Sequence, residues 1–212
     1  MILYHFPTSP FARRVRLALA LKGLSAELRD ARAEAAHREA VERLNPQHTV
    51  PVLIDGERVF TDSNAICQYL ERKVPTPKLV PPGIEGAEAF ELSALCDGVI
   101  SGLSNLGMRY FGLHEDAHFP EVKARLGGRV QRALDALGAR VEGVAPGPLC
   151  GAEWSLADIA IYTTTAWLEA LPARGATFPP AAQVVSLGWV LPSALSRWAD
   201  QHRQRADVLA LG

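Results

Sequence analysis

The sequence has few of the features that would tie it to disulfide bonds, metals or a polyanion. Of 212 residues only three are cysteine, at positions 67, 96 and 150, and no two of them form a CxxC pair. This spacing indicates neither a disulfide framework nor a zinc site, and it favours a reducing compartment. The formal net charge of −1 gives no sign of a nucleic acid partner or of an acidic membrane surface.

Long apolar runs are also missing. No stretch approaches the roughly 18 uninterrupted apolar residues of a membrane span, so we expect no contact with a bilayer. The opening MILYHFPTSPFARRV brings in proline and arginine early, and we therefore expect neither a signal peptide nor a transit sequence, and a cytoplasmic protein. With 48% hydrophobic and 21% charged residues, enough apolar material is present for a globular protein of one or two domains.

The first third of the chain predicts a β-α-β-α-β-β-α domain. The two β-rich runs around residue 56 are joined across Asp-Gly, which is a strong hairpin signal. Lys22-Gly23 is typical of a helix end. In order, we predict a strand at 2–6, a helix at 11–21, a strand at 26–29, a helix at 33–44, strands at 52–54 and 58–60, and a helix at 65–70 capped from 61–63.

A linker and a helical half follow. The segment VPTPKLVPPGIEG, at 74–86, has four prolines and two glycines, and neither a helix nor a strand can run through it. Beyond it the apolar spacing predicts helices and no convincing strand. These helices are expected at 87–110, 121–141, 155–171 and 192–204, with the APGP and FPP segments as breaks between them. We place the domains at 1–78 and 87–212.

Two loops at predicted element junctions carry groups that could do chemistry. Ser9 precedes Pro10, which is a common helix start, and capping alone explains it. The same position sets a hydroxyl at the positive end of a helix dipole, where a bound thiolate would be stabilised. His48 lies in the loop before Val50-Pro51, where its imidazole could donate to a carboxylate. A cis bond there would turn the backbone of Val50 toward a peptide-like ligand.

Asp62 and Ser63 stand at the start of the next predicted helix. An ordinary cap explains them, with Asp in the first turn. A helix N-terminus with a hydroxyl and free N–H groups is equally suited to a carboxylate, and the adjacent aspartate to an ammonium. Together they would fit the head group of an α-amino acid.

These signals, in this order and spacing, resemble the cytosolic glutathione transferases over essentially the whole chain. The segment SPFARRVRLALALKGL resembles the first helix of that family with its catalytic hydroxyl. NPQHTVPVL is similar to its cis-proline loop, and TDSNAICQYL to its acidic-serine helix. LCGAEWSLADIAIY resembles its buried capping box, here Ser155 to Asp158. The resemblance implies an α/β thioredoxin-like domain followed by an all-α helical bundle, and a homodimer.

The resemblance also implies roles for individual residues. Ser9 would hydrogen-bond the glutathione sulfur, His48 the glycyl carboxylate, and Val50, before Pro51, the cysteinyl backbone. Asp62 and Ser63 would hold the γ-glutamyl head. NPQHTVP is closest to the delta and theta-like serine-type classes, although Asn64 stands where delta-type sequences usually carry arginine. Glutathione would be a substrate, so the resemblance implies no resident cofactor and no metal.

The implied reaction is attack of the glutathione thiolate on an apolar electrophile. Its pocket is expected between the first domain and the first long helix of the second, with candidate residues named by position. Two other functions remain open. The first is a glutathione-dependent isomerase or dehalogenase of the same fold, and the second is a non-catalytic module that binds ligands or proteins. The pocket candidates are Leu103, Asn105, Leu106, Met108, Arg109, Tyr110, Phe111 and Trp167.

Overall fold

The computed structural model describes residues 1–109, 116–144 and 147–209. These residues form two compact units. The first contains the described residues of 1–89, 148–159 and 203–212, and the second contains those of 90–147 and 160–202. The expected boundaries of 1–78 and 87–212 are therefore still a prediction, because the first unit also takes in two segments from later in the chain.

The first unit has the predicted β-α-β-α-β-β-α order around a four-stranded sheet. Strand β1 pairs in parallel with β2 and antiparallel with β3, and β3 pairs antiparallel with β4, so the spatial order is β2-β1-β3-β4. The bounds are β1 Ile2–His5, α1 Pro10–Leu21, β2 Glu27–Asp30, α2 Ala35–Leu44, β3 Val52–Asp55, β4 Arg58–Phe60 and α3 Ser63–Lys73. This is the thioredoxin-like domain that the resemblance implied.

Two groups of buried apolar side chains stabilise this unit. Helices α1 and α3 pack against each other, and they bury Val15, Leu17 and Ile66 completely. Helix α2 contributes Ala40 and Val41 to a separate cluster with residues of β1 and β3. The predicted hairpin is confirmed: Asp55 pairs with Arg58, and the turn between them begins at Gly56, whose φ of +60° favours glycine.

The remaining described residues are helical, and after β4 they contain no strand, as the sequence predicted. The bounds are α4 Ile84–Ser104, continued by a π-helical turn Asn105–Arg109, α5 Phe119–Val141, α6 Leu156–Gly175, α7 Pro179–Ser186, α8 Ser193–His202 and α9 Ala206–Leu209. None of the helices in the described ranges combines the length and the apolar character that crossing a bilayer requires.

Two expectations for the helical half were incomplete. The FPP segment does separate two helices, but helix α7, which begins at Pro179, was not predicted; proline is well tolerated in the first turn of a helix. Helix α6 also continues through Pro172 to Gly175. Helix α7 packs on the π-helical turn, where Gly107 approaches Val184 closely. A Cβ at that glycine would lie 2.9 Å from the Val184 Cα atom.

Candidate functional site

The pairing of the strands gathers the predicted glutathione-binding residues at one edge of the sheet. Because β1 and β3 are antiparallel, with Tyr4 opposite Val52, the end of β1 lies beside the start of β3. Strand β4 runs against β3, so its end lies at the same edge. Ser9 follows the end of β1, and Asp62 and Ser63 follow the end of β4. The loop with Val50 and Pro51 precedes the start of β3. Helices α1 and α3 therefore both begin at this edge.

Ser9 caps helix α1. Its Oγ accepts a hydrogen bond from the Ala12 backbone N–H at 3.3 Å, and Pro10 opens the helix. A serine hydroxyl carries one proton and two lone pairs, so capping leaves the proton available to a second partner. The side chain is partly exposed. Capping and donation to an anion are therefore compatible at this position, and the first does not exclude the second.

The loop between α2 and β3 is organised by Asn45, whose side chain is buried. Its Nδ2 donates to the Thr49 carbonyl at 2.7 Å, and its Oδ1 accepts from the Gln47 N–H at 3.0 Å. His48 is exposed, with a φ of +52°, and its N–H donates to the Asn45 carbonyl at 2.8 Å. The Asn45 side chain thus fixes the conformation of the loop. The His48 imidazole has no hydrogen-bond partner among the described residues.

The Val50–Pro51 bond is cis, as the resemblance to the cis-proline loop implied. Val50 is 7% exposed and precedes β3. Within the described part of the chain, no backbone hydrogen bond engages its N–H or its C=O. An extended, peptide-like ligand that lies along this edge could pair with these two backbone groups.

Helix α3 begins with a polar pair. Asp62 is its exposed N-cap, and the Oδ1 atom accepts from the Ala65 N–H at 2.8 Å. Among the described residues no group donates to the second carboxylate oxygen, so it is available to another partner. Ser63 is buried, and its Oγ accepts from Nη1 of Arg14 at 3.1 Å. The same Nη1 donates to Oδ1 of Asn64 at 3.0 Å.

His5 ends β1 just before the loop that leads to Ser9. It is 5% exposed, and its Nδ1 has no hydrogen-bond partner among the described residues. Burial lowers the pKa of His5, and the nearby Arg16 lowers it further, while Asp30 acts in the opposite direction. A neutral imidazole therefore lies beneath this edge of the sheet.

The predicted capping box at the start of α6 is confirmed. The Asp158 Oδ2 atom accepts from the N–H and from the hydroxyl of Ser155, both at 2.8 Å, and its Oδ1 accepts from the Leu149 N–H at 2.8 Å. Both side chains are fully buried. Burial raises the pKa of Asp158, against the opposing effect of the hydrogen bonds it accepts.

The expected co-substrate residues fall in the second unit. Leu106 is buried and lines a cavity of about 510 Å³, together with Phe119 and Gln183. Leu103 is buried and lines a second cavity of about 370 Å³, while Trp167 is buried and Asn105 is half-buried. The side chains of Met108 and Arg109 and the whole of Tyr110 and Phe111 lie outside the described residues, so their roles remain predictions.

Two residues that shape the site were not singled out from the sequence. Asn45 directly follows the helix predicted at 33–44 and Arg14 lies within the one predicted at 11–21, and neither was given a role. An asparagine that is followed by proline and a short polar loop could have suggested a loop-organising side chain. Nothing local marks Arg14, because its partner Ser63 lies 49 residues further along the chain.

The fold agrees with comparisons to known proteins. Residues 3–78 match the profile described as glutathione S-transferase, N-terminal domain, and residues 120–200 match the one described as glutathione S-transferase, C-terminal domain. Glutathione S-transferase Z1 of Arabidopsis thaliana is 32% identical over 161 residues, which cover 74% of this chain and 72% of that protein. The chain therefore belongs to the glutathione S-transferase family.

Two further relatives bear on the site. A probable maleylacetoacetate isomerase of Vibrio cholerae is 40% identical over 99 residues, which span 45% of this chain and 45% of that protein. A crystal structure of a glutathione S-transferase from Methylobacterium radiotolerans, in complex with glutathione sulfonate, superposes with a TM-score of 0.76 at 28% identity. That match covers 98% of this chain and 92% of that one.

Proposed function

We propose that this protein is a glutathione-dependent enzyme that ionises the glutathione thiol beside Ser9 and delivers the thiolate to an electrophilic carbon. The observation that carries the proposal is the position of the Ser9 hydroxyl. It lies at the start of α1 and is partly exposed. Its oxygen accepts a hydrogen bond from the Ala12 N–H, and the hydroxyl proton takes no part in that bond. The family match and the glutathione-type ligand in the Methylobacterium relative support it.

The chemistry follows from the pKa of the thiol. A free thiol has a pKa near ~8.5, so little of it is ionised at neutral pH. A hydrogen bond donated to the sulfur favours the charged form and lowers that pKa. The N-terminus of α1 adds a partial positive charge. Ser9 acts here as a donor to the anion, and it is neither a nucleophile nor a base.

The rest of the tripeptide would lie along the same edge of the sheet. The N–H and C=O of Val50, before Pro51, would pair with the cysteinyl unit, and His48 would donate to the glycyl carboxylate. Asp62 would take the γ-glutamyl ammonium and Ser63 the carboxylate. Each of these groups has the matching charge or hydrogen-bonding capacity.

Two reactions share this thiolate. In conjugation, the sulfur forms a bond to an apolar electrophile, a leaving group departs where there is one, and glutathione is consumed. In isomerisation, the sulfur adds to a cis double bond, the resulting single bond rotates, and elimination regenerates glutathione. The name of the Vibrio relative favours the second reaction as the alternative, with an unsaturated diketo acid as the substrate class.

The class of glutathione transferase is also part of this proposal. The NPQHTVP loop favours a serine-type enzyme of the delta or theta-like kind, whereas the Arabidopsis relative carries the name Z1. We further propose a cytoplasmic homodimer with a glutathione domain at 1–78 and a helical co-substrate domain at 87–212. Sizing chromatography of the purified chain tests the dimer.

Replacement of Ser9 tests the proposed function. In Ser9→Ala we expect kcat/KM to fall by about a hundredfold, the order that loss of one donor to a developing anion costs. Glutathione should still bind. The pKa of the bound thiol, followed by ultraviolet absorbance of the thiolate, should rise toward that of the free thiol.

Matched variants separate this role from helix capping. Ser9→Gly lowers helix stability by only a few tenths of a kcal/mol, yet it removes the same hydroxyl, so it should be as inactive as alanine. Ser9→Thr keeps the hydroxyl and should retain most of the activity. Full activity in Ser9→Ala and Ser9→Gly would refute the assignment, and Thr8 would become the next candidate.

The two reactions are told apart by what happens to glutathione. Purified enzyme is incubated with an activated aryl halide or with a cis-configured diketo acid, and free thiol is measured through the reaction. Conjugation consumes one thiol for each product formed. Isomerisation converts the substrate while the thiol concentration stays constant.

A further inference from the structure

We propose that Arg14 is a positioning residue that fixes the Ser63 hydroxyl as a hydrogen-bond donor to the α-carboxylate of the ligand head group. This inference rests on the proposed function and concerns the same edge of the sheet. It adds a residue from α1 to the part of the site formed by the start of α3, which the sequence analysis assigned to Asp62 and Ser63 alone.

The burial of Arg14 is the first observation. Its side chain is fully buried, with 0% exposure, which arginine almost never shows unless it is paired. Removal of a guanidinium from water costs several kcal/mol, so such a residue needs strong compensation from its partners. From α1, Nη1 reaches Ser63 Oγ at 3.1 Å and Asn64 Oδ1 at 3.0 Å. These contacts lie at the N-terminus of α3.

The direction of these hydrogen bonds is the second observation. Arginine only donates, so Ser63 Oγ must be the acceptor of the bond from Arg14. The hydroxyl proton is then directed away from the guanidinium and is available to donate. The Asn64 amide is oriented in the same way, because its oxygen faces Arg14 and its nitrogen therefore faces away. Arg14 thus turns two side chains that can donate or accept into donors.

Charge is the third observation. Asp62 is exposed and adjacent to Ser63, and it would repel a carboxylate bound at the start of α3. An α-amino acid head group carries an ammonium that suits Asp62 and a carboxylate that needs a cation or several donors. The Arg14 guanidinium, whose Nη1 lies 3.1 Å from Ser63 Oγ, supplies positive charge next to Ser63. The pair then distinguishes the two ends of a zwitterion.

The test uses two ligands that differ in one group. Binding of glutathione, and of its analogue in which γ-aminobutyrate replaces the γ-glutamyl residue, is measured by titration calorimetry on the full chain. In Arg14→Met we expect glutathione affinity to fall by about tenfold or more, as loss of a hydrogen bond to a charged group implies. Affinity for the analogue, which lacks the α-carboxylate, should change by less than about twofold.

The comparison of ligands separates a positioning role from a structural one. A merely structural role would weaken both ligands equally, and that outcome, or unchanged glutathione affinity, overturns the inference. Failure of the unmodified protein to bind glutathione at all would instead refute the proposed function. Arg13→Lys, on the neighbouring residue of α1, is the matched control and should leave both affinities unchanged.

A second variant covers the case in which Arg14→Met does not fold. Arg14→Lys keeps the charge in a more flexible side chain, and it should reduce glutathione affinity selectively but by less. In a Ser63→Ala background, Arg14→Lys should have almost no further effect on glutathione, because the group it orients is gone. Additive losses in the double variant would show that Arg14 does not act through Ser63.

Discussion

The first unit contains two helix starts that both use serine and aspartate, at α3 and at α6. They differ in how many hydrogen bonds the aspartate carboxylate accepts from the protein. At α6, the Asp158 carboxylate is fully buried and accepts three hydrogen bonds from Leu149 and Ser155. At α3, the Asp62 carboxylate is exposed and accepts one, from Ala65. A capping carboxylate whose oxygens are occupied by hydrogen bonds within the protein stabilises the fold, whereas one with an oxygen still available can bind a ligand.

The largest effect is expected at the saturated cap. Asp158→Ala leaves the N–H groups of Leu149 and Ser155 buried without an acceptor, and each such group costs about 1–3 kcal/mol. We expect a loss of about 3 kcal/mol or more in the free energy of unfolding, or roughly 6–12 °C in Tm for a chain of this size. Thermal and urea denaturation measure it.

The same variant sharpens the contrast with α3. Enough folded Asp158→Ala should remain at low temperature to bind glutathione with an unchanged affinity. Ser155→Ala, which removes one donor and one cap, should show a smaller loss of stability in the same direction. If Asp158→Ala were as stable as the unmodified protein, the buried capping box would not contribute to the stability of the fold.

The open cap should show the reverse pattern. Asp62→Asn keeps a good N-cap, since asparagine and aspartate cap helices almost equally, so stability should change little. It removes the negative charge that would pair with the γ-glutamyl ammonium, and glutathione affinity should fall by about tenfold. Titration calorimetry alongside thermal denaturation measures both quantities on one sample.

A companion variant tests whether the two roles separate. Asp62→Ala loses both the cap and the charge, so it should match Asp62→Asn in affinity and fall about 1 kcal/mol below it in stability. Equal affinity in Asp62→Asn and the unmodified protein would break the comparison, because α3 would then have an ordinary cap like any other helix.

The sequence was informative where structure is local. Periodicity and turn residues predicted all seven elements up to Lys73. The family resemblance, carried by the motifs around Val50-Pro51 and Ser155, implied the cis bond and the capping box that the structure contains. Proline was the ambiguous signal, because the same residue type ends one helix and begins another. Pro179 begins helix α7, which packs on the π-helical turn.

Long-range polar contacts were out of reach. Whether Arg14 is a solvated surface residue or a buried donor depends on Ser63, 49 residues away, and on how closely α1 approaches α3. Neither is written in the pattern around Arg14, which is one of several arginines in the same helix. The role of Asn45 was missed for a different reason. Its loop contacts are local, but its place just after the predicted helix at 33–44 was enough to account for the residue.

The smallest effect is expected at His5. This is a buried polar residue whose Nδ1 has no hydrogen-bond partner among the described residues. Its pKa is lowered in the folded protein by burial and by Arg16. Protonation is therefore more favourable in the unfolded chain. The contribution of His5 to stability is fully present above the ordinary histidine pKa of about 6.5. It is lost as the pH falls through that value toward the lower folded pKa.

Replacement by a side chain that does not titrate should flatten this dependence. One proton changes the free energy of unfolding by at most about 1.4 kcal/mol per pH unit, so His5→Gln should reduce the slope below pH about 6.5 by no more than that. The slope is measured by urea denaturation at several pH values. If His5→Gln gave the same slope as the unmodified protein, His5 would be solvated in solution. The edge beneath Ser9 would then be as open to water as the Asp62 cap.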